Sequence, residues 1–295
     1  EKLDLQDMRQ APVIEPMVKR AFVCHKPERA AEYVDLAFRT AASGRPGPVY
    51  LEFPIDVLNT HIDPATVRKP RTEIASHPVD LVNARKVMDW LAAAEKPVVI
   101  AGSGIWHSQA EAELVRFAEN AGVPVFTSLS GRGTISDEHP LCFESALAIR
   151  PGAAFGAYLE TDLVILIGTR IGLYYIFGDI FNPQARIVQV DIEPEEMGRN
   201  RGVDLPIVSD AQAFLSACND MMARGGSGPG LQARFQPWIE ALGVHEEAGK
   251  APARPNWESA ATPIHPLRLA REIDRFMDRP DDIVVADGGD TTTWI

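Results

Sequence analysis

Four uninterrupted runs of Val, Ile and Leu constrain the fold of this chain most strongly. They lie at residues 98–102, 123–127, 162–168 and 186–191. Stretches with apolar residues at helical spacing accompany them, at residues 81–94, 109–120 and 210–222. Strands that consist almost entirely of apolar residues are typical of a parallel sheet covered by helices on both faces. We therefore predict an α/β fold with a doubly wound parallel sheet.

The flanking sequence predicts incomplete α/β segments on either side of this domain. A helix at residues 28–42 and a strand at 49–53 precede it. The polar, proline-containing stretch 59–80 indicates a linker, and the glycine- and proline-rich stretch 224–264 indicates a second linker with a short helix around Trp238. A helix at 267–277 and a strand at 283–287 then begin a further unit.

Charge and cysteine usage exclude several classes of protein. The chain has 29 Lys and Arg against 41 Asp and Glu, a net charge of −12, which argues against nucleic acid or an anionic membrane as a partner. No run of about 18 apolar residues predicts a membrane span. Cys24, Cys142 and Cys218 form no CxxC pair, so neither a disulfide framework nor a zinc site is expected. A reducing cytoplasm is the predicted location.

The first apolar run ends in the turn Gly102-Ser103-Gly104. A dinucleotide fingerprint would need a third glycine where His107 stands, and an acidic residue where the next run ends in Thr127. The nicotinamide dinucleotide hypothesis therefore fails. Two interpretations stay open: a tight turn whose backbone amides approach a ligand phosphate, or a plain turn from strand to helix.

The third and fourth runs end in residues that suit a nucleotide. Gly168 and Arg170 follow the third run, and Asp191 ends the fourth, 21 residues after Arg170. The guanidinium group could hold a diphosphate while the carboxylate holds a ribose hydroxyl. Alternatively, Arg170 and Asp191 form a structural ion pair.

Six phrases, taken in order, resemble the thiamine-diphosphate-dependent enzymes of the acetolactate synthase, benzaldehyde lyase and 2-hydroxyacyl-CoA lyase type. They are GRPGPVYLEFPIDVL (44–58), KPVVIAGSGI (96–105), GVPVFTSLSGRGTISDEHPL (122–141), DLVILIGTR (162–170), RIVQVDIEPEEMGRN (186–200) and DGGDTTTW (287–294). The resemblance implies three kinds of domain. Residues 1–58 would be the C-terminal part of a pyrimidine-binding domain, 59–80 a linker, 81–223 a central nucleotide-binding-like domain, 224–264 a linker, and 265–295 the start of a diphosphate-binding domain.

The resemblance also implies chemistry for the intact protein. Such enzymes form or cleave carbon–carbon bonds next to a carbonyl group, as carboligases, lyases or transferases, with thiamine diphosphate and Mg²⁺. The family's catalytic glutamate and its metal motif are expected outside residues 1–295, so this segment alone is expected to be inactive. The implied partners are a 2-oxo acid, acyloin or acyl-CoA substrate and further copies of the chain, as a homodimer or homotetramer.

Site residues follow from the same resemblance. Gln6 matches a catalytic glutamine that faces the reacting end of thiamine diphosphate, and the segment Gly289, Asp290 and Thr291 matches residues that touch the cofactor diphosphate. A central crevice resembling the FAD site of acetolactate synthases, or the ADP or CoA site of oxalyl-CoA decarboxylases, would contain Gly102, Gly104, Gly168, Arg170, Asp191, Ile192, Asp210 and Ala211. Alternatively the crevice holds no nucleotide, and Tyr174 and Phe177 pack where a flavin would otherwise lie. A rival hypothesis is a stand-alone FAD-, ADP- or CoA-binding module without catalysis.

Overall fold

A computed structural model describes residues 8–68, 70, 73–74, 77–143, 152–225, 228–279 and 282–285 of the chain. Its main feature is a five-stranded sheet with the order β4-β3-β5-β6-β7, in which all neighbours are parallel. These strands are β3 (Pro97–Ala101), β4 (Val125–Thr127), β5 (Leu163–Ile167), β6 (Arg186–Asp191) and β7 (Leu205–Val208). The predicted α/β fold with a parallel sheet is confirmed.

Helices precede, connect and follow the strands. They are α1 (Gln10–Ile14), α2 (Ala30–Ala42), α3 (Ile55–Asn59), α4 (Leu81–Ala93), α5 (Gly104–His107), α6 (Glu111–Ala121), α7 (Ala153–Glu160), α8 (Ala211–Gly225), α9 (Gly228–Lys250), α10 (Arg254–Trp257) and α11 (Pro266–Phe276). Helices α4, α6 and α8 agree with the sequence prediction within a few residues. Within the described ranges no helix is both long and apolar enough to cross a membrane.

The sheet carries a hydrophobic core on each face, because successive side chains of a strand point to opposite sides. Ile165 of β5 belongs to the core beneath α4, α6 and α8, and Leu166 belongs to the core beneath α7. Each of the five residues of β5 is buried. Burial on both faces explains why the strands consist of uninterrupted apolar runs.

A second, smaller sheet lies in the N-terminal part of the chain. Strands β1 (Arg20–Val23) and β2 (Val49–Glu52) pair in parallel, and α2 connects them. The sequence predicted β2 and α2 but not β1, which is only four residues long and begins with an exposed arginine.

Two predicted elements differ in the structure. The stretch 224–264 contains the 23-residue helix α9 in place of a linker with a short helix around Trp238. Leu231, Phe235, Trp238 and Leu242 of α9 are buried in the two cores, so the helix belongs to the packed domain. Residues 282–285 form no strand, because no neighbouring segment of the described chain pairs with them. The wider domain boundaries stay a prediction.

Candidate functional site

A large cleft in the described structure lies where the strand order of the sheet reverses. The chain runs from β3 to β4 on one side and then places β5 on the other side of β3. In open α/β sheets, ligands bind at such a switch point, outside the carboxyl ends of the strands. A cleft of about 980 Å³ occupies this place, lined by the turns that follow β3, β5 and β6.

Three glycines hold the turns after β3 and β5 against each other. A Cβ atom on Gly102 would lie 2.2 Å from the carbonyl oxygen of Gly168, and one on Gly104 would lie 2.5 Å from the Cα atom of Gly168. Gly168 itself has a φ of +61°, a left-handed conformation that glycine adopts at little cost. The glycines therefore allow one backbone to pass directly over another.

The amides of these glycines are already bonded. The N–H of Gly102 donates to Ile167 O at 2.9 Å, that of Gly104 to Gly168 O at 3.0 Å, and that of Gly168 to Val190 O at 2.8 Å. These hydrogens join the strand ends, so the three glycine N–H groups are not free to donate to a phosphate, and a binding role for the turns stays a prediction. Helix α5, which begins at Gly104, is also only four residues long.

Cations at the cleft come instead from arginine side chains. Arg45, Arg170 and Arg199 all approach one carboxylate oxygen, Oε1 of Glu196, at 3.2, 4.0 and 3.1 Å. Glu196 is 4% exposed, whereas about half or more of each arginine side chain is exposed. The buried carboxylate thus holds three guanidinium groups at the wall of the cleft, with N–H donors left for an anion.

Arg170 does not pair with Asp191 in the structure. Its acidic neighbour is Glu196, and the ion pairs found in the described ranges do not include Asp191. The Asp191 carboxylate accepts a hydrogen bond from the backbone N–H of Glu193 at 3.0 Å. Burial raises the pKa of this carboxyl, and the nearby Glu196 adds to the rise, while the hydrogen bond from Glu193 and the charge of Arg45 oppose it. Among the described residues, Asp191 is therefore a carboxylate at the end of β6 that belongs to no ion pair, although the charge of Arg45 acts on it.

The substitution Asp191→Asn is expected to raise the free energy of unfolding at pH 7 by about 0.5–1 kcal/mol in the absence of ligand. A raised folded-state pKa means that Asp191 contributes full stability below its unfolded pKa of about 3.9 and loses it as the pH rises through the folded value. Asparagine removes the half-buried charge and keeps an oxygen for the N–H of Glu193. Urea unfolding at pH 7 and pH 4 measures the difference, which should shrink at pH 4.

The matched control is Asp80→Asn, since Asp80 also accepts a backbone hydrogen bond, from Val82 at 2.9 Å, but is exposed. Its effect should be near zero or slightly negative at both pH values. A gain for Asp191→Asn that is equal at pH 7 and pH 4 would contradict the explanation.

Asp210 and Ala211 begin helix α8 at the edge of the cleft. Oδ1 of Asp210 accepts from the N–H of Ala213 at 3.1 Å, which caps the first turn. The N–H of Asp210 donates to His77 O, and the N–H of Ala211 donates to Ser108 Oγ. Both residues therefore have a structural role at the start of α8 as well as a place in the cleft wall.

An aromatic loop, defined here as residues 171–178, forms another wall of the cleft. Ile176 and Phe177 have φ values of +49° and +54°, in the left-handed region. Each such residue costs of the order of 1–2 kcal/mol, and more when branched at Cβ. Tyr175 is 3% exposed, while Tyr174 and Phe177 are 47% and 50% exposed. The loop thus buries one aromatic ring and leaves two beside the cleft.

The structure gathers most of the predicted central-domain residues at one place. Gly104, Gly168, Arg170, Asp191, Ile192, Asp210 and Ala211 line the cleft, and Gly102 lies in the turn beneath it. Their binding role stays a prediction. Gln6, Gly289, Asp290 and Thr291 lie outside the described residues. The sequence analysis missed Arg45, Glu196 and Arg199, although the quoted phrases 44–58 and 186–200 contain all three.

Within the described ranges, no group of three or more His, Cys, Asp or Glu side chains could hold a metal ion. The positions that the resemblance assigns to thiamine diphosphate fall in residues that are not described. The observable site is therefore the arginine-lined cleft of the central sheet.

Comparisons with known proteins also identify this part of the chain as a central domain. Residues 84–218 match the family model "Thiamine pyrophosphate enzyme, central domain". The chain is 33% identical to a probable acetolactate synthase large subunit of Methanocaldococcus jannaschii, over 95% of this chain and 48% of that protein. It is 29% identical to the oxalyl-CoA decarboxylase of Escherichia coli, over 98% of this chain and 50% of that protein.

A solved structure is also similar. The crystal structure of benzoylformate decarboxylase from Polynucleobacter necessarius matches with a TM-score of 0.65 and 26% identity, covering 74% of this chain and 41% of that one. The chain thus spans about half the length of the curated relatives it matches.

Proposed function

We propose that the full-length protein forms or cleaves carbon–carbon bonds next to a carbonyl group. The chain belongs to the thiamine pyrophosphate-dependent enzymes, whose central-domain model matches residues 84–218. Thiamine diphosphate supplies an electron sink for such chemistry. The similarity to an acetolactate synthase and to an oxalyl-CoA decarboxylase supports a 2-oxo acid, acyloin or acyl-CoA substrate. A module without catalysis is not favoured, because these relatives are enzymes.

The described residues do not include the positions assigned to thiamine diphosphate, and the activity that we propose for them is nucleotide binding. We propose that the cleft holds the diphosphate of FAD, ADP or CoA, with Arg45, Arg170 and Arg199 as its cationic wall. The carrying observation is the convergence of these three guanidinium groups on the buried Glu196 at the switch point of the sheet. Asp191 ends β6 beside them, in the place where a carboxylate can accept from a ribose hydroxyl.

Charge-assisted hydrogen bonds explain why these groups suit a diphosphate. Arg45 and Arg199 each donate one hydrogen bond to Oε1 of Glu196, and Arg170 lies 4.0 Å from the same atom. The other N–H groups of these guanidinium groups can donate to phosphate oxygens. No group of the described residues hydrogen-bonds the buried Oε2 atom of Glu196. An unpaired buried carboxylate oxygen is costly, so the positive groups around it partly compensate the charge before any ligand binds.

The substitution Arg170→Ala is expected to weaken binding of ADP by about 10- to 100-fold, the size of one or two lost hydrogen bonds to a charged group. Arg170 is suitable because its contact with Glu196 is long, at 4.0 Å, so its removal disturbs the fold little. Isothermal titration calorimetry at fixed ionic strength measures the affinities for ADP, FAD and CoA. The absorbance spectrum of the purified protein separately reports a retained flavin.

The matched control is Arg116→Ala, which removes an arginine of similar exposure that pairs with Glu113 on α6, away from the cleft. It should leave all affinities within twofold. Equal losses in the two variants would contradict a specific role for Arg170. If the protein binds none of the three nucleotides, the proposed binding function is wrong.

Assembly and location are further proposals. We propose a homodimer or homotetramer in a cytoplasmic location for the full-length protein. The three cysteines are free in the structure, as a reducing compartment would keep them. Light scattering of the full-length protein measures its mass, and a monomer would contradict the proposed assembly.

A further inference from the structure

The aromatic loop is held in place at both of its ends. Asn200 donates from Nδ2 to the carbonyl oxygen of Ile171 at 2.7 Å. At the other end, the guanidinium group of Arg201 donates to the carbonyl oxygen of Gly178 and to that of Phe181, the latter at 3.1 Å. The loop therefore leaves and rejoins the domain at fixed points.

A buried ring fixes the middle of the loop. Tyr175 packs edge-to-face against Tyr158 of α7, with ring centroids 6.2 Å apart, and stacks on Phe181 at 5.7 Å. Immediately after this anchor, the backbone turns through the left-handed conformations of Ile176 and Phe177. Strained backbone persists only where the surroundings determine it, and it occurs preferentially at ligand sites.

The aromatic rings that precede and follow the buried Tyr175 both lie at the cleft. Tyr174 and Phe177 line the cleft together with Arg170, and both remain about half exposed. They do not fill the cleft, since its volume of about 980 Å³ is the space that remains with both side chains present. Two aromatic side chains on a fixed loop thus stand next to the proposed diphosphate site, facing open space.

We propose that the aromatic loop binds the planar ring system of the nucleotide whose diphosphate the arginines hold, with Tyr174 and Phe177 as the contact surface. This inference rests on the proposed nucleotide-binding function and assigns the ring to a particular wall of the cleft. Aromatic side chains bind nucleobases by stacking because each base has a flat π face, whatever its hydrogen-bonding edge. Anchoring by Asn200, Arg201 and Tyr175 limits the ordering that binding would otherwise require.

The decisive measurement compares a ligand that has a ring with one that lacks it. Calorimetric titrations of ADP and of inorganic pyrophosphate are carried out on the unchanged protein and on the variants Tyr174→Ala and Phe177→Ala. Each variant is expected to weaken ADP binding by about tenfold and to leave pyrophosphate binding within twofold. Phe177→Trp is expected to retain ADP binding, because it keeps an aromatic face at this position. Parallel titrations with FAD and CoA distinguish the possible sources of the ring.

Phe155→Ala is the matched control, because Phe155 of α7 is 41% exposed and does not line the cleft. An equal change in ADP affinity for Phe155→Ala and Phe177→Ala would overturn the inference. Equal weakening of ADP and pyrophosphate would do the same, since it would indicate a general disturbance of the cleft. A change in oligomeric mass without a change in ADP affinity would instead assign the loop to a protein interface.

These titrations distinguish a failure of the nucleotide-binding function from a failure of the ring assignment. If the unchanged protein binds neither pyrophosphate nor any of the nucleotides, the proposed nucleotide function fails and the ring assignment fails with it. If ADP binds but its affinity is insensitive to Tyr174→Ala and Phe177→Ala, only the ring assignment fails.

Discussion

Replacing Gly168 with alanine is expected to lower the free energy of unfolding by about 2–4 kcal/mol and to abolish the proposed nucleotide binding at the cleft. The added Cβ atom would lie 2.5 Å from the Cα atom and 2.9 Å from the nitrogen of Gly104. Both neighbours are backbone atoms, so no side-chain rotation can relieve the contact. The φ of +61° at Gly168 adds a further cost for any residue with a Cβ atom.

Gly172, at the start of the aromatic loop, supplies a control for this substitution. A Cβ atom on Gly172 would have no neighbour within 4 Å, and the φ of Gly172 is −131°. Gly172→Ala should therefore leave stability unchanged or raise it by up to about 1 kcal/mol through the unfolded state. Urea unfolding followed by circular dichroism compares the two variants. A difference smaller than about 0.5 kcal/mol between them would show that the strand-end turns can separate without cost.

The glycine turns show what a sequence motif does and does not determine. Gly102, Gly104 and Gly168 mark the ends of β3 and β5, and the sequence predicts their place at the carboxyl edge of the sheet correctly. It does not reveal that the glycines face one another across two strands, 64 or more positions apart. Their amides join the strand ends, and the cations of the cleft come from elsewhere.

The cationic wall could not be predicted from local sequence. Arg45 and Glu196 meet across 151 positions of chain, so no spacing rule connects them. Arg199 lies three residues after Glu196, and this pair follows helical spacing although it stands in a turn region. What the sequence does establish is the sheet, because strands buried on both faces need uninterrupted apolar residues. Strand β7, whose residues alternate between buried and exposed, carries a weaker signal and was not predicted.

Helix α9 shows a different kind of error. Glycine and proline around its first residues indicate a linker, yet Leu231, Phe235, Trp238 and Leu242 recur at intervals of four, three and four residues. This spacing is typical of a helix with one buried face. Composition and periodicity therefore predict different structures here, and the tertiary packing of the apolar face overrides the low helix propensity of glycine and proline.

The buried face of α9 joins the two cores of the domain. Leu231 and Phe235 belong to the core beneath α4, α6 and α8, whereas Trp238 and Leu242 belong to the core on the opposite face of the sheet. Trp238 also donates from Nε1 to the carbonyl oxygen of Pro97 at 3.1 Å, at the start of β3. A helix with these contacts should contribute to the stability of the whole domain rather than unfold separately.

Phe235→Ala is therefore expected to lower the free energy of unfolding by about 3–5 kcal/mol, as the removal of a fully buried phenylalanine ring does elsewhere. Val244→Ala is the control on the same helix, since Val244 is 69% exposed, and should change stability by less than about 0.5 kcal/mol. Urea unfolding measures both, with circular dichroism reporting the domain and with fluorescence reporting Trp238 in a background where the other four of the five tryptophans are replaced by phenylalanine. Coincident transitions would show that α9 unfolds with the sheet, whereas similar small effects for both variants would mean that α9 is a linker after all.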